Sequence, residues 1–71
     1  MEVNVDRLKT LRQLRAMSQE ELAEESGVGR ATVSRIERGE TGAHGKTLRK
    51  LAKALGVKVS ELVALPGGGD A

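Results

Sequence analysis

Cysteine is absent from this 71-residue chain, and so are phenylalanine, tyrosine and tryptophan. Without cysteine, neither a disulfide framework nor a thiolate zinc site can hold a small fold together. Without aromatics there are no stacking platforms of the kind on which single-strand and RNA binders depend. Long apolar runs are missing too. The longest is Leu62-Val63-Ala64-Leu65, far short of a membrane span, and no signal-peptide pattern is visible. What remains is enough chain for one domain with an economical core of Leu, Val, Ile, Ala and Met. The expectation is a soluble cytoplasmic protein.

Charge is mild in total and uneven in place. Twelve Lys and Arg face ten Asp and Glu. Residues 18–29 hold Glu20, Glu21, Glu24 and Glu25 and no base. Residues 30–58 hold Arg30, Arg35, Arg38, Lys46, Arg49, Lys50, Lys53 and Lys58 against Glu37 and Glu40. Such asymmetry suggests one face made for a polyanion. The plainer reading is charge that only solvates helix surfaces.

Apolar residues recur at helical spacing, and no useful length alternates like a strand. The pattern predicts an all-α, compact five-helix bundle. A first helix spans about Asp6 to Ala16, with Val5, Leu8 and Leu11 inward. Ser18-x-x-Glu21 is a capping box that opens a second helix, which Gly27 ends. A third runs from about Arg30 to Arg38, with Val33 and Ile36 inward. The Gly39-Glu-Thr-Gly-Ala-His-Gly segment reads as a mobile loop. A fourth helix covers about Lys46 to Leu55 and a short fifth covers Val59 to Leu65. The domain is expected over 1–65, with a flexible tail at 66–71.

Two short helices around Gly27-Val28-Gly29 make a helix-turn-helix. Val28, Val33 and Ile36 are apolar where the pair must pack. Arg30, Ala31, Thr32, Ser34 and Arg35 are left facing outward. Those residue types suit guanine edges, phosphates and thymine methyls.

SQEELAEESGVGRATVSRIERGE resembles the helix-turn-helix of the lambda-repressor-like, or Cro/XRE, family. The likeness extends from LKTLRQLRAMSQ before it to TLRKLAKALGVKVSEL after it, nearly the whole chain. The resemblance implies a five-helix bundle that binds double-stranded DNA as a transcriptional regulator. By its pattern, Arg30, Ala31, Thr32, Ser34 and Arg35 occupy the base-reading positions. Gln19 and Lys46 match phosphate-contacting positions, and Arg38 is assigned to phosphate with them. Arg12 and Glu37 match a partly buried ion pair between the first and third helices. The chain departs from the pattern at Gly29, a weaker cap than the usual polar residue, and in the glycine-rich loop.

The resulting expectation is a prokaryotic or phage-type regulator, a repressor acting as a homodimer by operator occupancy. Val63 and Leu65 are the expected dimer interface. No cofactor, metal, membrane or small-molecule ligand is expected, and no constellation supports catalysis. His44 reads as a solvated loop residue, since a metal site needs more ligands. The alternative is a protein-interaction module on the same fold, an adaptor or antitoxin-like partner.

Overall fold

The computed structural model describes residues 2–64. Four α-helices, α1 (Val5–Leu14), α2 (Gln19–Ser26), α3 (Arg30–Glu37) and α4 (Gly45–Leu55), precede a 3-10 turn at Val59–Glu61. The expected fifth helix is not there: among the described residues the bundle has four helices and one turn. The cause lies where the chain ends meet. Val63 forms an isolated antiparallel bridge with Val3. Asn4 N donates to Leu62 O at 2.8 Å, and Ala64 N donates to Glu2 O at 3.0 Å. A segment extended to make those bonds cannot also wind into a helix. Leu65, which the sequence assigned with Val63 to a dimer surface, and the tail at 66–71 lie outside the described residues.

The first two helices start at side-chain caps. Asn4 Oδ1 accepts from Arg7 N at 3.1 Å and caps α1. Ser18 Oγ accepts from Glu21 N at 3.0 Å while Glu21 Oε1 accepts from Ser18 N at 2.8 Å, the reciprocal box read from the sequence. Gly29 and His44 precede α3 and α4 without a side-chain cap.

Helix ends are equally specific. Gly27 takes φ +77° and donates from its N–H to Ala23 O, which turns the chain out of α2. The first helix stops at Leu14, two residues short of the expected Ala16. Met17 N reaches back to Arg12 O at 3.1 Å and Ala16 N to Gln13 O at 2.9 Å. Ala16 sits at φ +54°, the position that Gly39 and Gly56 fill at the ends of α3 and α4. A six-residue Schellman close normally takes glycine there. With alanine in that place, sequence pattern alone shows no stop.

The core gathers one stripe from each helix. Leu8 comes from α1, Leu22 and Ala23 from α2, Val33 and Ile36 from α3. Leu48, Leu51, Ala52 and Leu55 form an i, i+3, i+4, i+7 row on α4, and Leu62 closes against them. Each fully buried Leu or Ile contributes about 1.5–3 kcal/mol of transfer free energy. Val28 in the turn is buried too. Val3 and Ala43 join it, although one stands in the chain end and the other in the glycine-rich loop. Of the residues expected inward on α1, Val5 and Leu11 are only half-buried. Arg7 Nη2 meets Glu61 Oε1 at 2.9 Å and ties α1 to the 3-10 turn. That guanidinium, with the Lys58 amide, holds the Glu61 carboxyl below its ordinary range.

Candidate nucleic-acid interface

The geometry of α3 follows from which side it buries. Val33, Ile36 and Glu37 face inward at i, i+3, i+4 spacing. Arg30, Ala31, Arg35 and Arg38 are therefore exposed, and Thr32 and Ser34 are half-buried at the margins. The Ser18 cap sets Gln19 at the first position of α2, and the Gly27 turn brings α3 alongside it.

Gln19, Arg30, Ala31, Ser34, Arg35 and Arg38 line one shallow open hollow. Thr32 lies on the other flank. It borders a second hollow with Arg35, Ile36, Thr41, Gly42, Ala43, His44 and Thr47, so Arg35 stands between the two. Lys46 is exposed on the first turn of α4, between His44 and Thr47, and lines neither hollow. No carboxylate is among the residues lining either one. The face is therefore cationic and polar, suited to a polyanion.

Ion pairing sorts the arginines. Among the described residues neither Arg30 nor Arg35 has an ion-pair partner, whereas Arg38 Nε meets Glu40 Oε2 at 3.2 Å in an exposed pair. Glu20, Glu21, Glu24 and Glu25 are all exposed. Only Glu20 and Glu24 reach a hollow that Arg30 also lines, on the far side of the turn.

Behind the face, Glu37 is buried, with 1% of its surface exposed. Arg12 Nε donates to Glu37 Oε2 at 2.7 Å and Arg12 Nη2 to Oε1 at 3.0 Å. Arg12 Nη1 donates to Met17 O at 2.7 Å. Gln19 Nε2 donates to Glu37 Oε1 at 3.1 Å. The last contact escaped the sequence reading, which gave Gln19 and Glu37 separate roles. Eighteen residues of separation carry no periodic signal for such a bond. Glu40 as the partner of Arg38 is a second contact beyond the sequence expectations, with only a two-residue spacing to signal it.

A short α2, a three-residue turn and an exposed α3 with two unpaired arginines define a helix-turn-helix DNA-binding domain. Comparison with known proteins agrees. A family model described as helix-turn-helix matches residues 8–62. An uncharacterised HTH-type transcriptional regulator of Methanocaldococcus jannaschii is 39% identical over 57 residues, covering 80% of this chain and 86% of the relative. Control protein C.SmaI of Serratia marcescens is 36% identical over 66 residues, covering 93% and 79%. Among solved structures, the restriction-modification controller protein C.AhdI from Aeromonas hydrophila superposes with a TM-score of 0.77 at 38% identity, over 80% of this chain and 86% of that one. A transcriptional regulator from Vibrio cholerae gives a TM-score of 0.76 at 37% identity, with 80% of this chain matching 32% of that longer one. The chain belongs to the Cro/XRE family of helix-turn-helix transcriptional regulators. Among the described residues no helix is long and apolar enough to cross a membrane.

Proposed function

We propose that this protein binds duplex DNA sequence-specifically and represses transcription by occupying an operator. Arg30, Ala31, Thr32, Ser34 and Arg35 meet base edges in the major groove. Gln19, Arg38 and Lys46 meet phosphates on either side. The observation that carries this reading is the convergence of Gln19, Arg30, Ala31, Ser34, Arg35 and Arg38 on one open face whose two central arginines have no internal partner. An exposed arginine with a free guanidinium can take guanine O6 and N7 in a two-point contact. Acidic or apolar residues in those positions would suit a protein partner instead. Two of the relatives are named control or controller proteins, and control of transcription is the kind of role this chain fits.

A lone recognition helix reads too few base pairs to single out one site in a genome. The functional form is therefore a two-fold homodimer with recognition helices about 34 Å apart, one turn of the duplex. Its interface includes Val63 and Leu65.

Selection of bound sites from a random duplex library tests the proposal. Recovery of a palindromic site, bound more tightly than a scrambled duplex, is the expected result. Wild-type protein that enriches no sequence would overturn it.

A further inference from the structure

Glu37 is unusual for a buried acid. Its Oε2 accepts from Arg12 alone, but its Oε1 accepts twice, from Arg12 Nη2 and from Gln19 Nε2. The Arg12 charge balances the carboxylate, so Gln19 is not needed for neutrality. Gln19 is only half-buried, and it lines the hollow that Arg30, Ser34 and Arg35 share. One residue thus touches the buried ion pair on one side and the cationic face on the other.

The orientation of the Gln19 amide follows from chemistry. An ionised carboxylate only accepts, so the group turned toward Glu37 is the NH2 and not the carbonyl. One of its two hydrogens goes to Glu37 and the other remains available. The backbone at this point is held by the same network. Arg12 Nη1 grips Met17 O, two residues before Gln19, and the Ser18 cap fixes the first turn. Both the main chain and the side chain of Gln19 are therefore held before any ligand arrives.

We propose that Glu37 is a positioning residue for DNA binding: it holds the Gln19 amide over the α2–α3 hollow as a pre-oriented donor to a duplex phosphate. A free glutamine side chain has three soft torsions, and freezing them opposes binding. A tether made within the fold removes that cost in advance. This inference rests on the DNA-binding reading above. It adds that the phosphate contact draws its strength from a residue that never touches DNA.

The experiment is a double-mutant cycle in duplex affinity, measured on a selected site and on a scrambled duplex of equal length. Gln19→Ala is made in the wild type and in an Arg12→Met, Glu37→Met background, whose apolar pair replaces the buried charges without leaving one behind. In the wild type Gln19→Ala is expected to weaken both duplexes about tenfold, the scale of one hydrogen bond to a charged group. In the apolar background it is expected to cost about twofold or less, since the untethered side chain loses most of its advantage. An equal loss in both backgrounds overturns the proposal, because a merely structural Glu37 would leave the cost of Gln19→Ala unchanged. Should the apolar background not fold, side-chain amide relaxation by NMR on free wild-type protein decides. The Gln19 NH2 is expected to be restricted relative to the exposed Gln13, and equal mobility overturns the tether. Arg35→Ala separates the two readings. If it weakens the selected site while Gln19→Ala is silent, positioning fails and DNA binding stands; if the wild type binds no duplex, the functional reading fails.

Discussion

Arg12 and Glu37 are joined by two near-parallel bonds, Nε to Oε2 at 2.7 Å and Nη2 to Oε1 at 3.0 Å, across the α1–α3 contact. Their side chains are 14% and 1% exposed. Burial makes the pair asymmetric in its consequences. Removing Arg12 leaves a carboxylate with no charge to balance it and no water to solvate it. Arg12→Ala is therefore expected to destabilise by about 3–5 kcal/mol, well beyond a surface pair. Replacing both partners with methionine is expected to lie near neutral. Urea unfolding of Arg12→Met, Glu37→Met and the double variant measures the coupling. A coupling energy near zero would reduce the pair to surface charges.

The close of α1 gives a second test. Ala16 is the only non-glycine with positive φ among the described residues. A left-handed alanine costs roughly 1–2 kcal/mol, part of which glycine would return as unfolded-chain entropy. Ala16→Gly is expected to raise stability by up to about 1 kcal/mol. The opposite change at Gly56 is expected to be harmful because of its backbone. Its φ is +71°, which strains any residue with a Cβ, whereas the Arg15 guanidinium beside that Cβ is the end of an exposed side chain and can swing aside. Thermal unfolding of both variants, read at equal pH, checks the pair. An Ala16→Gly variant that melts below the wild type would mean that the strain at Ala16 is not what limits this turn.

These positions also mark what a reader of the sequence could and could not see. The Ser18–Glu21 box, the Gly27 stop and the α4 stripe of Leu48, Leu51, Ala52 and Leu55 are local patterns, and the structure has them where the spacing puts them. The end of α1 is local as well, but its left-handed residue is an alanine and carries no signature. The fifth helix failed for a different reason. Val59, Leu62 and Val63 have helical spacing, yet Val3 competes for Val63 from the far end of the chain. No window of neighbouring residues contains that partner. The same holds at the interface. The outward residues of α3 were legible because its inward ones are so plain, whereas the bond from Gln19 to Glu37 spans two helices.

On the recognition face, the expected effects differ by residue. Arg30→Ala or Arg35→Ala should cost about 1–3 kcal/mol on a selected site and much less on a scrambled duplex, if each reads a base. Lys46→Ala should weaken both duplexes alike and lower the salt slope by about one. Glu40→Gln frees Arg38 from its pair and deletes a negative charge beside the groove, so it should tighten binding to the scrambled duplex. Titrations over a range of salt concentrations read all four variants. Arginine variants that keep full preference for the selected site would show that α3 is not the reading helix.

Assembly is the remaining test, and the bridge between the chain ends changes its terms. Val63 is half-buried against the core and paired with Val3, so it offers only part of its side chain to a second copy. Val63, the described part of the surface proposed for the dimer, thus lies in a bridge to Val3 just after a 3-10 turn, not on the face of a fifth helix. Two apolar side chains can bury only a small area, and a small interface gives a weak dimer. Operator binding then supplies the missing stability through mass action, because two half-sites hold two protomers at fixed spacing. The expected result in sedimentation is a largely monomeric wild type at low concentration and a dimer on a palindromic duplex. Leu65→Glu places a charge in the proposed contact and should abolish the dimer in free solution while weakening the palindrome complex. A Leu65→Glu protein that dimerises and binds the palindrome as the wild type does would exclude this segment. A wild type that occupies a palindrome only one protomer at a time would end the two-fold model.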